Sequence, residues 1–387
     1  MLKFWIRAFV FLLVLLTAFA YLTYLERRVL SWFQWRVGPN RVGPWGLFQP
    51  IADGVKTVLK QEAVPRKADR VLYIMAPIIT FAAAFSMFGL IPVGDGVMLS
   101  NVSVAILIFL GLSSLGAYGV ILAGWSGQSR YPFLGGLRAC AQVISYELPL
   151  GLAVLVPVMI VGSLNINDIG HIYTSQYWNP WFLVVLIPAG ILFLVSALAE
   201  TGRVPFDLPE CESEIVAGYH TEYSSLKYAM FPMGEYIAMC AMAAIAVHMF
   251  LGGYMWPTIG GVDLTNWLGS LYGALGGDPT AAIGPPAFLH MSDEYWRACS
   301  LSLSGLSSTL TFCFKVGVLV FMFMWIRATE PRFRYDQLMR FGWKVLLPIG
   351  LFLVFLASAF HVLVPVSAEG EQQVVGQIME VDGHVPH

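Results

Sequence analysis

Residues 199–227 read AETGRVPFDLPECESEIVAGYHTEYSSLK and separate two long apolar segments of the chain. Six carboxylates fall within residues 200–222, although only 12% of the chain is Asp, Glu, Lys or Arg. Acidic side chains at membrane depth cost roughly 2.5–3.5 kcal/mol each, so they usually face a protein interior or a wet cavity. We therefore interpret the chain as a membrane scaffold that holds this carboxylate cluster where its protonation can be coupled to another process.

The composition predicts an all-α, polytopic membrane helical bundle. Hydrophobic residues make up 57% of the 387 residues and the mean hydropathy is +0.70, so the polar surface of a soluble protein is missing. Apolar segments of about 20 residues predict eight transmembrane helices, near residues 4–25, 71–91, 102–124, 143–161, 181–199, 233–253, 309–326 and 345–364. The first segment runs into Glu26-Arg27-Arg28 rather than a small-residue cleavage site, which favours a retained span.

The distribution of positive charge predicts the orientation in the membrane. Of the 22 Lys and Arg residues, 18 lie in four segments, 26–70, 125–142, 200–232 and 327–344. Cytoplasmic loops carry such an excess, so we expect these loops in the cytoplasm and both termini on the outer side of a bacterial inner membrane. Residues 1–364 then form a single membrane domain. Residues 254–306 form an outer loop with short surface helices, and 365–387 form a polar tail.

The first charged segment predicts a rigid loop and an amphipathic helix. Two Gly-Pro turns bracket Asn40 and Arg41, and Pro50 stands where a helix can begin. From there, one helical face is apolar (Phe48, Ile51, Val55, Val58, Leu59) and the other is polar (Gln49, Asp53, Lys56, Lys60). The helix is either a simple interfacial anchor or, beside a basic and aromatic stretch, part of a binding mouth for an amphipathic, lipid-like ligand.

Some of the acids lie in apolar sequence and some in the acidic cluster. Glu147 lies inside the fourth predicted span, just before Pro149 and Gly151, where it is either a hydrogen-bonded structural residue or a functional acid. In the cluster, Glu210 and Glu214 would share a helical face and raise one another's pKa. A run of acids is usually a solvated loop.

Glu200 and Glu235, at the ends of the flanking spans, extend the acidic row into the membrane. A simple solvated loop would not need acids at the ends of the flanking spans. Lys315 is a single cation in the seventh predicted span. It is expected either to pair with an acid of another helix or to take part in proton transfer.

The five cysteines are scattered, with no CxxC and no Cys/His cluster at ligand spacing. The sequence therefore predicts no iron–sulfur cluster, haem, zinc or other metal in this chain.

Four motifs resemble the H-subunit family of respiratory complex I, whose mitochondrial counterpart is NADH dehydrogenase subunit 1. They are LERRVLSWFQWRVGPNRVGPWGLFQPIADGVK, ISYELPLGL, AETGRVPFDLPECESEIVAGYHTEYSS and PRFRYDQLMRFGWKVLLP. The resemblance covers nearly all of residues 10–364 in order. It excludes the tail, and the segment 254–306 is longer than the usual connection of the family.

The resemblance implies a membrane-arm subunit of proton-translocating NADH:quinone oxidoreductase that forms most of the membrane part of a quinone chamber. It also implies a role in linking quinone reduction to proton pumping. By matching motif, the quinone chamber would involve Arg27, Arg28, Arg36, Asp53, Lys56 and Arg203. The proton-coupling acids would be Glu147, Glu200, Asp207, Glu210, Glu212, Glu214, Glu222 and Glu235, with Tyr219 and the more loosely matched His220 nearby.

Quinone enters this scheme as substrate, and the family's flavin and iron–sulfur clusters belong to neighbouring hydrophilic subunits, so this chain has no redox centre of its own. The expected partners are those subunits, small membrane-arm subunits and lipid, and no nucleic acid. Two other functions remain open. One is the equivalent subunit of a membrane-bound hydrogenase, which a quinone-analogue inhibitor assay would separate. The other is a stand-alone proton or ion transporter, which would be active without hydrophilic redox subunits.

Overall fold

The computed structural model describes residues 2–66, 68–94, 98–127, 129–170, 180–207, 218–254 and 293–363. The regular secondary structure in these ranges consists of helices. The helices are α1 (Leu2–Phe33), α2 (Gln49–Leu59), α3 (Arg70–Met87), α4 (Ala105–Ser126), α5 (Arg130–Val161), α6 (Ile166–Gly170), α7 (Pro180–Glu200), α8 (Ser225–Phe250), α9 (Asp293–Thr329), α10 (Tyr335–Phe341) and α11 (Leu347–Leu363).

Seven helices in the described part of the chain are long and apolar enough to cross a membrane. They correspond to the second through eighth predicted spans, and they confirm the all-α polytopic class. The first predicted span, 4–25, lies within α1, a helix of 32 residues that continues through Glu26, Arg27 and Arg28 to Phe33. Its length of about 48 Å, at 1.5 Å per residue, exceeds the roughly 30 Å of a bilayer core.

Four helices begin earlier than the hydropathy pattern predicts. Helix α8 begins at Ser225, inside the predicted loop 200–232. Helix α5 begins at Arg130, inside the predicted loop 125–142, and α10 begins at Tyr335, inside the predicted loop 327–344. Helix α9 begins at Asp293, so the end of the predicted outer loop 254–306 is helical. Hydropathy marks the part of a helix that suits lipid, whereas a helix can continue into polar surroundings where its backbone remains hydrogen-bonded. The tail 365–387 lies outside the described residues.

Helix α8 lies at the centre of the bundle. Every residue from Ala241 to Phe250 is buried, and the helix packs against α3, α7 and α9. Helix α4 packs between α3 and α5, α7 packs on the far side of α5, and α11 covers α5 and α7. The chain that leaves α7 at Glu200 therefore re-enters the middle of the bundle at α8.

Close packing of α3 on α4 depends on Gly119. A Cβ atom at this position would stand 2.8 Å from the backbone nitrogen of Thr80 and 2.9 Å from the carbonyl oxygen of Ala76. Small residues allow such close approach of helix backbones in membrane bundles. Gly111, on the same helix, has no atom within 4 Å of the equivalent point.

Lys315 holds the C-terminal end of α8. Its Nζ donates hydrogen bonds to the carbonyl oxygens of Leu251 (2.7 Å) and Gly253 (3.0 Å), and the residue is buried. The last carbonyls of a helix lack partners within the helix and carry its negative end, so a cation there is favourable. These bonds give Lys315 a helix-capping role that neither of the two expectations from sequence named.

We expect Gly119→Ala to destabilise the protein, because the added methyl group meets backbone atoms of α3 that cannot move independently. The expected cost is about 1–3 kcal/mol, typical of overpacking. It should appear as a lower midpoint of thermal unfolding in detergent. Gly111→Ala is the matched control and should leave the midpoint unchanged or slightly raised. Equal midpoints for the two variants would contradict this account of the α3–α4 contact.

Candidate functional site

A cavity of about 100 Å³ lies inside the bundle, where α3, α4, α5, α7 and α8 meet. Apolar and small residues form most of its wall. Its polar lining comes from Thr80, Ser113, Gln142, Glu200, Thr201, Tyr219 and Glu235. A water molecule occupies about 30 Å³ in the liquid, so this space suits a few waters rather than a large ligand.

Glu200 is the last residue of α7 and faces this cavity. Its Oε2 atom is buried and has no hydrogen-bond partner among the described residues. The helix ends here because Gly202 adopts φ = 63°, a left-handed conformation that glycine accepts readily. A buried carboxylate oxygen without a protein partner needs a proton or a water molecule.

Glu235 reaches the same cavity from α8. Tyr219 donates a hydrogen bond to its Oε1 over 3.0 Å, and Tyr219 also lines the cavity. Tyr219 belongs to a short turn, Gly218–His220, that lies against α5. The ring of His220 meets Tyr219 and Tyr228 edge to face, at 5.0 and 5.2 Å between centroids. Two of the predicted acids therefore share one cavity with a phenol.

Two other predicted acids lie in separate surroundings. Asp207 is buried and forms an ion pair with Arg332 at 3.2 Å. Glu222 accepts a hydrogen bond from the backbone N–H of Ser129, 3.0 Å away, at the start of α5.

Glu147 accepts a hydrogen bond from Ser114 of α4. It also lines an open groove of about 380 Å³ between α5 and α11. Of the remaining predicted acids, Glu210, Glu212 and Glu214 lie outside the described residues.

Arg203, predicted as a chamber residue, belongs to a buried charge cluster. Its Nη1 lies 3.1 Å from Glu26 Oε2, and Arg327 forms a second ion pair with Glu26. The guanidinium also lies over the ring of Tyr236, 4.0 Å from its centroid. Burial alone lowers the pKa of Arg203, but the charge of Glu26 outweighs it and raises this pKa above its usual value. Arg203 is therefore always charged.

Arg27 and Asp53 join α1 to α2. Arg27 Nη1 lies 2.7 Å from Asp53 Oδ2, and Lys56 Nζ lies 3.7 Å from Asp53 Oδ1. Helix α2 turns its polar side, which includes Gln49, Asp53 and Thr57, toward the protein. Its apolar side points outward, with Leu59 78% exposed and Val58 65% exposed. An outward apolar face suits contact with lipid acyl chains.

The other two predicted chamber arginines differ in their contacts. The guanidinium of Arg28 lies over the indole of Trp45, 5.8 Å from its centroid. Trp45 is held by a hydrogen bond from Tyr24 to its carbonyl oxygen (2.6 Å). Arg36 lies on the exposed loop that follows α1.

A groove of about 910 Å³ separates α2 from the beginning of α8. It is lined by Arg27, Asp53, Lys56, Thr57, Leu59, Lys60, Tyr223, Ser224, Ser225 and Tyr228. Burial raises the pKa of Tyr223 to about 12, so its phenol stays neutral beside Ser126. The groove therefore brings together three of the six predicted chamber residues, and Arg28, Arg36 and Arg203 lie outside its lining.

The end of α2 is fastened to α8 across this groove. Ser225 Oγ lies 2.9 Å from the carbonyl oxygen of Thr57 and 2.8 Å from that of Lys60. The backbone N–H of Ala63 donates to Ser224 Oγ over 2.9 Å. The one hydroxyl proton of Ser225 can serve either of these two carbonyls, which the helix end leaves without partners.

Sequence reasoning missed Glu26, Arg327, Tyr236 and Gln142. Glu26 stands in the LERR motif, where only the arginines were predicted to act. An acid at the end of an apolar span, beside two arginines, is itself a signal of a buried ion pair. Tyr236 and Gln142 look like ordinary residues of membrane helices, so no local pattern distinguishes them.

The described residues contain no group of three His, Cys, Asp or Glu side chains arranged to hold a metal ion. The titratable groups described above are mainly carboxylates, guanidinium groups and phenols. Such groups can bind, store and pass protons.

Comparison with known proteins identifies the family. Residues 6–358 match the family described as NADH dehydrogenase. Proteins named as the H subunit of NADH-quinone oxidoreductase, from Rickettsia africae (strain ESF-5) and Rickettsia bellii (strain OSU 85-389), are each 44% identical over 345 residues. The protein of that name from Rickettsia canadensis (strain McKiel) is 44% identical over 346 residues. Each alignment covers 89% of this chain and 89% of the relative. The chain therefore belongs to the NADH dehydrogenase family, among relatives that are H subunits of NADH-quinone oxidoreductase.

Proposed function

We propose that this membrane subunit forms the access chamber for quinone and couples quinone reduction to proton pumping. The observation that carries the proposal is the shared cavity of Glu200 and Glu235 inside an apolar bundle. Acidic groups at membrane depth are costly and are usually functional. The relatives' name, which contains both NADH and quinone, supplies the substrate class.

The groove beside α2 is the proposed entrance for quinone. A quinone with an isoprenoid tail needs an apolar surface open to lipid and a polar region for its headgroup. The outward apolar face of α2 meets the first requirement, with Val58 65% exposed. Arg27, Asp53 and Lys56 at the groove supply charged groups for the second. Arg28, Arg36 and Arg203 are proposed to act further along the chamber.

The coupling step is electrostatic and uses the acids. Reduction of quinone changes the charge of the chamber and takes up protons. That change alters the protonation of the nearby carboxylates, and the segment that carries them then rearranges. The proposed group comprises Glu147, Glu200, Asp207, Glu210, Glu212, Glu214, Glu222 and Glu235. Of these, Glu200 and Glu235 are the pair that one cavity connects.

We propose that this chain works in a complex with redox subunits, because its sequence has no motif for an electron carrier. Hydrophilic redox subunits would dock on the charged loops, and small membrane subunits and lipid would cover the apolar helices. The loops 26–70, 125–142, 200–232 and 327–344 would face the cytoplasm, by their excess of Lys and Arg. The relatives do not support the hydrogenase or transporter alternatives, because their name specifies quinone.

We expect Glu200→Gln and Glu235→Gln, each made singly in the whole complex, to lower proton translocation and NADH-driven quinone reduction by about tenfold or more. Loss of a group that transfers protons typically costs at least this much. Both rates are measured in sealed membrane vesicles, and NADH oxidation by a soluble artificial acceptor reports assembly. Glu330→Gln, at an exposed carboxylate just beyond α9, is the matched control and should retain full activity. Intact coupled turnover in both cavity variants would refute the proposed coupling role.

We expect Val58→Asp to raise the KM for a long-tailed quinone by about tenfold, since it places a charge on the apolar face of α2. The KM for a short-tailed quinone should change little, because that substrate depends less on the lipid-facing surface. Val58→Leu keeps the face apolar and serves as the control. The entrance is misplaced if the two quinones respond equally to Val58→Asp.

A further inference from the structure

We propose that Gln142 is a positioning residue that sets both Glu200 and Asp207 in place and directs its amide oxygen at the cavity. This inference rests on the proposed coupling function. No motif of the sequence assigns Gln142 a role. The residue lies on α5 and is 1% exposed.

The side-chain amide of Gln142 binds backbone carbonyls at the two ends of residues 199–206. Its Nε2 donates to the carbonyl oxygen of Ala199 and to that of Phe206, each over 2.7 Å. Ala199 directly precedes Glu200, and Phe206 directly precedes Asp207. A peptide unit is planar, so a carbonyl held in place also fixes the N–H and Cα of the next residue. One side chain therefore orients the backbone at two predicted acids.

The neighbouring bonds do not replace this contact. The N–H groups of Thr201 and Gly202 bond back to carbonyls of α7, and the N–H of Phe206 bonds to Arg203. These bonds shape the turn, but each is internal to residues 197–206. The N–H of Phe333 also donates to the carbonyl oxygen of Pro205 over 3.1 Å, which ties the segment to the chain before α10 and not to α5. The two bonds from Gln142 attach the same segment to α5, the helix that also carries Glu147.

The orientation of the amide is determined by its partners. Both partners are carbonyl oxygens, which only accept hydrogen bonds, so the NH₂ group must face them and Oε1 must point away. Oε1 is buried and has no hydrogen-bond partner among the described residues, and the same holds for Glu200 Oε2. Both residues line the one cavity.

Since both residues line the same cavity, we take these two unsatisfied oxygens to face it, where they require donors. Water can supply them in a cavity that is polar and large enough, and this one also contains Tyr219 and Glu235. A water bound to Gln142 Oε1 would be held beside Glu200, so the amide would determine where a proton can enter or leave that carboxylate. Gln142 acts through these groups and does not itself carry the proton.

The test uses Gln142→Met in the whole complex, which keeps the size of the side chain and removes both amide functions. We expect turnover with quinone to fall by about tenfold or more, because small displacements of reacting groups have large effects. We also expect the pH profile of turnover to move, because the surroundings of the titratable groups lining the cavity, Glu200, Tyr219 and Glu235, change.

Tyr146→Phe is the matched control. It removes another buried hydrogen bond from α5 to a carbonyl oxygen, that of Leu338, 3.0 Å away, but does not touch the acidic segment's hydrogen bonds. A general weakening of α5 would scale turnover at every pH without moving the profile. If Gln142→Met behaves like Tyr146→Phe, the inference is wrong.

Gln142→Glu decides the question if the methionine variant does not assemble. A protonated glutamic acid can donate one of the two lost bonds, and its ionised form can donate neither. Turnover of this variant should therefore recover as the pH falls, and a profile in the wild-type position would overturn the inference. The outcome is separable from that of the proposed function. If Glu200→Gln and Glu235→Gln abolish coupling while both Gln142 variants keep the wild-type profile, only the role of Gln142 fails.

Discussion

The buried carboxylate of Glu26 constrains the whole charged end of the bundle. It is 2% exposed and shares its charge between Arg203 and Arg327. Removing one partner of a buried ion pair typically costs about 3–5 kcal/mol, so folding strongly favours arrangements in which the three residues meet. They come from α1, the segment after α7, and α9, which are distant in sequence. This contact therefore fixes the turn that carries Arg203 relative to the first helix, whose next residue, Arg27, reaches α2.

Residues just after α7 and just before α8 contact both candidate regions. Toward the surface, Ser225 holds the end of α2 and Glu222 holds the start of α5. Toward the interior, Tyr219 contacts Glu235, and Gln142 holds the carbonyls that precede Glu200 and Asp207. Residues of one short segment thus contact both the groove and the cavity.

The membrane helices, the amphipathic α2 and the acidic residues could be predicted because each produces a local pattern. Hydropathy finds spans, a period of 3.6 residues finds α2, and charge inside apolar sequence finds Glu147, Glu200 and Glu235. No such pattern predicts that α2 turns its polar side inward, since that depends on the position of Arg27. Glu26 and Gln142 were missed for a similar reason. Their roles depend on partners 177 and 57 residues away, and no local pattern specifies such pairings.

The cap that Lys315 provides has a mechanical consequence. Since Lys315 binds the carbonyls of Leu251 and Gly253, this end of α8 is attached to α9, and we expect it to move less than the other end. Glu235 lies on the same helix, about 24 Å from that attached end at 1.5 Å per residue. A tilt of α8 by about one degree around the attached end would displace Glu235 by about 0.4 Å, since a point on a rigid rod moves in proportion to its distance from the pivot. Because a hydrogen bond weakens over a few tenths of an ångström, a rotation of only a few degrees would suffice to break the bond with Tyr219.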